Sequence, residues 1–365
     1  MSSETEAQDP LVGKKLGDFV VDARIGEGGF GAVYRARQPR LGRLAAIKVL
    51  HTRLVTTADA TDRFLREVRT ASSLEHPYAA HIYASGVELD GTLWMAMEYV
   101  QGTPFSEYLR AQGSLPVERF VPFLERVCEV VHSAHSEGIV HRDLKPANIM
   151  VMPRSGRLLP KLLDFGIAKA IAATGSGSDE PKGFGVPARA APPSGLAEAA
   201  APASGGLAAT VRGGSGPSYQ PAQAIHGPVV STDGSAAITQ RGQIVGSPHY
   251  MAPEQWDDAG SVDARCDIYA LGVLAFEALT GELPFRGNSM AEVADAHRRA
   301  PPPAVPEGLP PNLDEVFGRA LAKNPEDRFA DALALGQAFR SAAGLGVERP
   351  PLPRLRDPGI AGVGR

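Results

Sequence analysis

Apolar and polar positions alternate with a period of two over Phe19–Ile25 and again over Ala32–Arg37, and a third apolar run covers Leu44–Leu50. This pattern predicts three strands. Between the first two lies Gly26-Glu27-Gly28-Gly29-Phe30-Gly31, so the start of the chain reads strand–turn–strand. Over Ala58–Leu74 the period lengthens, and Phe64, Val68 and Ala71 fall at i, i+4 and i+7, one stripe of a helix. Leu93–Val100 is a further apolar strand, followed by Gly102. Val117–Ser136 keeps the helical period through Phe120, Leu124, Val127, Val131 and Ala134, with Cys128 on the same inner side. Gly138 should stop that helix, because only glycine turns left-handed without cost. Asp267–Leu279 is apolar on most sides, which predicts a helix buried all round. Further helices are expected near 290–299, 311–321 and 331–342.

The pattern fails in three places. Residues 1–17 and 344–365 read as a disordered leader and tail. Between 172 and 241 Gly, Ala, Pro and Ser dominate with no sustained period. Such a stretch cannot bury enough apolar surface to offset its ordering entropy, so it is expected to be disordered and exposed.

Composition narrows the reading. With 43% hydrophobic residues, the 365-residue chain can build a real core. A formal charge of −4 without a basic stripe gives nucleic-acid binding no support. Cys128 and Cys266 stand far apart without metal-ligand spacing, as thiols buried in a reducing compartment do. Met1–Pro10 is polar and acidic, which argues against a signal peptide, and no uninterrupted apolar run is long enough for a membrane span. A cytoplasmic location is expected.

The candidate chemistry centres on His141-Arg142-Asp143-Leu144-Lys145-Pro146-Ala147-Asn148. Pro146 fixes its own φ and pushes Lys145 out of the helical region, so the stretch reads as a rigid loop. A loop presenting a carboxylate, an ammonium and an amide suits phosphoryl transfer, which needs positioning and charge neutralisation more than covalent chemistry. Two more positions fit. Lys48 sits inside an apolar strand, which is costly without an anionic partner. Asp164, after Leu162-Leu163 and before Phe165-Gly166, is an acid at a strand end and fits a metal ligand. The glycine spacing Gly26, Gly28, Gly31 is weak alone. Strand-type alternation resumes after Gly31 and no acid follows within about 25 residues, unlike a dinucleotide-binding turn. A flexible hairpin over phosphates is the better reading, its glycines allowing the backbone a close approach.

Taken together, H-R-D-L-x-x-x-N, the strand lysine, D-F-G and the Ala252-Pro253-Glu254 triplet resemble the eukaryotic-like, bacterial-type serine/threonine protein kinases from about Phe19 to Ala342. The resemblance implies an α+β, bilobal fold with a small antiparallel β-sheet lobe over 18–100 and a large, mainly helical lobe over 101–343. Residues 172–241 then form an insertion in the activation segment. Asp164 and Glu254 are 90 positions apart, an excess of roughly 60 over the usual spacing, tolerable because closure entropy grows only logarithmically.

The resemblance also implies roles. Asp143 would accept or orient the proton of the substrate hydroxyl, and Lys145 would neutralise the transferring group. Asn148 and Asp164 would hold Mg²⁺, or Mn²⁺ in its place. Lys48, fixed by Glu67, would hold the α- and β-phosphates of ATP. Ile25 and Val33 would sandwich the base, and Gly26, Gly28 and Gly31 would cover the phosphates. Ala46, Met97 and Met150 would complete the adenine pocket, with the backbone of Glu98 and Val100 reading the adenine edge. Ser247 would bridge Asp143 and Lys145, and Thr239, in a stretch resembling a bacterial T-x-T-G motif, would be a regulatory phosphosite facing Arg142. His141, Asp267 and the pair Glu254–Arg328 would be structural. Protein substrates with Ser/Thr acceptors are the implied partners, with a transient homodimer for trans-autophosphorylation. A nucleotide-binding scaffold and a small-molecule kinase are the alternatives. The presence of Lys48, Asp143 and Asp164 speaks against the scaffold, and Lys145 with the docking loop at 246–254 against the small-molecule kinase.

Overall fold

The computed structural model describes residues 9–51, 58–154, 156–165, 248–257 and 262–346. Gly166, Thr239, Ser247 and the stretch 172–241 lie outside the described residues, as do 1–8 of the leader and 347–365 of the tail.

The first lobe is built on a six-stranded antiparallel sheet in the order β1-β2-β3-β4-β6-β5. Its strands are β1 (Lys15–Leu16), β2 (Phe19–Gly28), β3 (Gly31–Gln38), β4 (Arg43–Leu50), β5 (Ile82–Val87) and β6 (Leu93–Glu98). Alternation gives the sheet two different faces. Tyr34, Ala36, Ala45, Ile47, Val49, Trp94 and Ala96 join Leu16, Phe19 and Val21 in one buried cluster. The opposite face carries Val33, Lys48, Met95 and Met97, and its register places Gly26 beside Val33, Val33 beside Lys48 and Lys48 beside Met95. Residues 9–17, expected to be disordered, are ordered from Asp9. Gly17 at φ +52° makes the turn from β1 to β2, and Leu16 is buried under the sheet. A two-residue strand with one apolar side chain leaves too short an alternation to read from sequence.

Trp94 explains two glycines. A Cβ on Gly86, its cross-strand neighbour, would stand 2.7 Å from the indole, and one on Gly17 would stand 2.8 Å away. The indole N–H donates to Glu88 at 2.8 Å, so the ring cannot turn aside without losing that bond. Gly86→Ala is expected to cost about 1–3 kcal/mol by overpacking, read as a lower urea midpoint at unchanged m-value.

Helix α1 (Ala58–Ser72) lies against the second face, with Phe64, Val68 and Ala71 buried as their spacing predicts. The second lobe opens with β7 (Thr103–Pro104), α2 (Phe105–Gln112) and α3 (Val117–Ser136). Gly138, at φ +76°, ends α3 in a Schellman turn. Ile139 N–H donates to Ala134 O at 2.9 Å and Gly138 N–H to His135 O at 3.0 Å. That reversal delivers the chain to His141. Strands β8 (Ile149–Arg154) and β9 (Arg157–Leu162) pair with each other, and β8 also pairs with β7. Helix α4 (Arg265–Thr280) runs through the core and is buried along nearly its whole length. Helices α5 (Met290–Arg299), α6 (Leu313–Ala320) and α7 (Ala332–Ala342) complete the lobe.

His297 on α5 is fully buried among Trp256, Tyr269 and Phe285, and its Nδ1 shares a hydrogen bond with Tyr269 Oη at 2.9 Å. Burial first, and the Lys323 ammonium second, push its pKa down to about 3 from 6.5. The unfolded chain therefore takes up a proton near pH 6.5 that the folded chain refuses. This contribution to stability is intact above pH 6.5 and is lost as pH falls toward 3. Between pH 7 and pH 5 the loss from this residue should be roughly 2 kcal/mol. Urea titrations at both values should show it, and His297→Gln should flatten the dependence by that amount.

Candidate active site

The loop predicted around Asp143 is held from below by one carboxylate. Asp267, in the first turn of α4, accepts from the backbone N–H of His141 and of Arg142, both at 2.8 Å, and from His135 Nε2 at 2.8 Å. Asp267 is buried, which alone would raise its pKa. The His135 hydrogen bond and the surrounding donors outweigh that and hold it below the usual carboxylate range. His141 is buried and used at both ring nitrogens. Its Nδ1 accepts from Asp143 N–H at 3.3 Å, and its Nε2 faces Leu163 O at 3.1 Å. Accepting at Nδ1 requires the neutral ring, in keeping with a pKa lowered by burial. The ring also lies 5.2 Å from that of Phe165, which is buried.

Arg142 sits at φ +61°, a conformation that costs a non-glycine residue roughly 1–2 kcal/mol. It is fixed by Asp267 on its N–H and by Gln255, whose amide donates to Arg142 O at 3.1 Å. Lys145 is extended at φ −162° and ψ 160° before Pro146, as the proline demands. Its Nζ lies 3.1 Å from Asp143 Oδ2. Asn148 donates to Asp143 O at 2.8 Å and to Asp143 Oδ2 at 3.2 Å. Both amide bonds leave through Nδ2, so Asn148 Oδ1 remains an available acceptor.

Asp164 ends the run after β9 at φ +51°. Its Oδ2 is paired with Lys48 of β4. Its Oδ1 is buried and has no hydrogen-bond partner among the described residues. An orphaned carboxylate oxygen costs free energy unless something cationic meets it. Asp164 Oδ1 and Asn148 Oδ1 are hard oxygen donors. A divalent ion such as Mg²⁺ takes one or two protein oxygens and draws the rest from phosphates and water. The donor set fits that ion.

Above this group lie the sheet residues assigned to a nucleotide. Val33, Ala46 and Lys48 are half-buried, and Met97 is buried. Ile25 falls in a β-bulge between Arg24 and Gly26, which re-aims its side chain relative to its neighbours. Met150 is half-buried on β8. Glu98 N–H is spent on His81 O at 2.8 Å, so of its backbone groups only the carbonyl can serve an adenine edge.

One expectation is corrected. Lys48 pairs with Asp164, and Glu67 is exposed on α1. The helix turns Phe64 and Val68 into the core, which rolls Glu67 out to the flank and leaves Asp164 as the anion beside the half-buried ammonium. Gly31 is demanded by the sheet itself: a Cβ there would stand 2.0 Å from Val49 O on β4. A Cβ on Gly28 would meet open space, and one on Gly26 only an ordinary contact with Val33 Cβ at 3.9 Å, both compatible with a close ligand.

The Glu254–Arg328 pair forms as a bidentate contact at 2.7 and 2.8 Å, with the guanidinium buried. Two residues went unnoticed in the sequence. Gln255 joins the docking loop to the catalytic loop, accepting from Ala252 N–H at 2.9 Å while it donates to Arg142 O. His135 braces Asp267. A polar residue directly after Ala-Pro-Glu was the available signal for Gln255. His135 gives none, lying among polar residues at the end of α3.

A family model described as "Protein kinase domain" matches residues 19–186 and 231–339. Its break falls inside the 172–241 stretch. The serine/threonine-protein kinase Pkn1 of Myxococcus xanthus is 35% identical over 344 residues, covering 92% of this chain and 40% of that protein. Serine/threonine-protein kinase PknA of Mycobacterium tuberculosis is 32% identical, covering 96% of this chain and 66% of its own length. The chain thus spans 40 to 66% of the curated relatives it matches. Among solved structures, the PknI kinase domain of M. tuberculosis, in a single-substitution form, superposes with a TM-score of 0.58 at 25% identity over 91% of this chain and 98% of that one.

Proposed function

Because the chain belongs to the protein kinase domain family, we propose that it transfers the γ-phosphoryl group of MgATP to Ser or Thr hydroxyls of protein substrates. The observation that carries the reading is that Lys145 and Asn148 meet on Asp143, Lys48 meets Asp164, and the two groups are tied together by Leu163 N–H donating to Asn148 O at 2.8 Å. Lys48 would hold the α- and β-phosphates, exchanging Asp164 for them. Asp164 and Asn148 would hold the divalent ion, which supplies charge neutralisation on the phosphates when bound. Asp143, with Lys145 and Asn148 both on its Oδ2, is kept as an oriented carboxylate. It would accept the proton of the attacking hydroxyl as the new P–O bond forms and the bond from the γ-phosphorus to the β-phosphate oxygen breaks, with ADP leaving. Lys145 would follow the charge on the transferring oxygens. Ser247 and Thr239 keep the docking and regulatory roles that the resemblance implies. Autophosphorylation through a transient homodimer, and a cytoplasmic site of action, complete the proposal. No helix among the described residues is long and apolar enough to cross a membrane.

Incubation with γ-labelled ATP and Mg²⁺ tests this reading. Acid-stable label on Ser or Thr of the chain or of a generic protein substrate is expected. Binding of nucleotide without any transfer would favour the scaffold alternative.

A further inference from the structure

A glutamine side chain is seldom buried unless both ends of its amide are used. Gln255 is buried, in the turn Pro253–Trp256. Its Oε1 accepts from Ala252 N–H at 2.9 Å, in the docking loop, and its Nε2 donates to Arg142 O at 3.1 Å, in the catalytic loop. The two partners fix which end is which, since an N–H needs the oxygen and a carbonyl needs the nitrogen. The carbonyl it meets belongs to the peptide group that joins Arg142 to Asp143. The bond therefore ends next to the residue assigned to the incoming hydroxyl.

Each loop also hangs separately on α4. Asp267 holds the N–H groups of His141 and Arg142. Tyr250 Oη donates to Glu277 Oε2 at 2.6 Å, and Arg328, paired with Glu254, donates to Arg265 O at 3.0 Å. A small cavity with Arg142, Asp143, Tyr250, Met251, Gln255 and Asp267 in its walls lies between the two loops. Close packing is interrupted there, so it does not by itself set their spacing, and the Gln255 amide is a direct tie beside the gap. Asp143 keeps its own supports from Lys145 and Asn148 without this amide. We infer that Gln255 is a positioning residue: it sets the docking loop, and with it a bound protein hydroxyl, at the working distance from Asp143. The inference deepens the kinase reading and rests on it for the docking role of the loop.

The test uses the full chain as wild type, Gln255→Met and Gln255→Asn, and compares two acceptors of the same phosphoryl group. Transfer to a Ser/Thr peptide needs the docking loop in register with Asp143, whereas hydrolysis by water needs no docking. Methionine keeps the length but makes neither bond, and asparagine, one methylene shorter, cannot span both partners. In both variants the ratio of peptide transfer to MgATP hydrolysis should fall about tenfold, within the scale of a small misplacement of one reactant. Loss of folded protein lowers both rates in proportion and leaves the ratio alone. Without nucleotide, the amides of Met251 and Ala252 should exchange faster in the variants than in wild type, while those of His141 and Arg142, held by Asp267, keep their protection. An unchanged ratio would make Gln255 a merely structural residue and overturn the inference. Equal loss of protection at His141 and Arg142 would also overturn it, by making Gln255 a support of the catalytic loop itself. If wild type neither transfers nor hydrolyses, the kinase reading fails, and the exchange pattern alone decides whether Gln255 ties the two loops.

Discussion

Asp143→Asn is expected to lower the rate of phosphoryl transfer by about 10²- to 10⁴-fold, the span attributed to a positioned general base. The amide keeps nearly the same shape but cannot take a proton. Lys145 Nζ at 3.1 Å and Asn148 Nδ2 at 3.2 Å both address Oδ2, so the variant side chain would still be held by these donors through its carbonyl oxygen. The backbone bond from Asn148 to Asp143 O, at 2.8 Å, is untouched. The loop should therefore stay folded, and KM for ATP should change little while kcat collapses, the signature of an interaction made only in the transition state. Steady-state kinetics at saturating substrate check this. A variant as fast as wild type would remove Asp143 from the chemistry.

Asp267→Ala is expected to destabilise the fold by about 3–5 kcal/mol, the range for stripping one partner from a buried, charged network. Three donors lose their acceptor at once: His141 N–H, Arg142 N–H and His135 Nε2. Arg142 is already at φ +61°, and losing its N–H bond removes one of the contacts that hold it there. Asp143 follows Arg142 directly, so its carboxylate should wander and transfer should fall along with stability, by about 10²-fold or more. Asp267→Asn keeps one acceptor oxygen and should lie between the alanine variant and wild type in both respects. Urea unfolding and kcat measured on the three proteins check the order. Loss of stability with full activity would show that the loop holds its shape without this brace.

The parts of the site that lie in short stretches were legible in the sequence, because local chain chemistry dictates them. Pro146 forces Lys145 to be extended, Gly138 ends α3, and a lysine in an apolar strand demands an anion. What the pattern could not supply is which anion. Glu67 lies only one position from Val68 in the helical stripe, and its choice between core and solvent depends on the roll of α1 against the sheet, a property of packing across the domain. The sheet's own demand for Gly31, set by Val49 O on the next strand, is equally invisible in the local sequence. Helix α2 escaped notice because its eight residues bury only Phe105 and Leu109, too short a stripe to establish a period. The brace between His135 and Asp267 spans 132 positions and leaves no trace in either neighbourhood.

On the proposed function, Asp164 and Asn148 would hold a metal-bound nucleotide in front of Asp143. A crystal structure of the chain with Mg²⁺ and a non-hydrolysable ATP analogue tests it most directly. The expected result is an ion bound by Asp164 Oδ1 and Asn148 Oδ1, Lys48 turned from Asp164 to the phosphates, and the terminal phosphate facing Asp143 and Lys145. A nucleotide seated elsewhere, or an ion held without either oxygen, would contradict it.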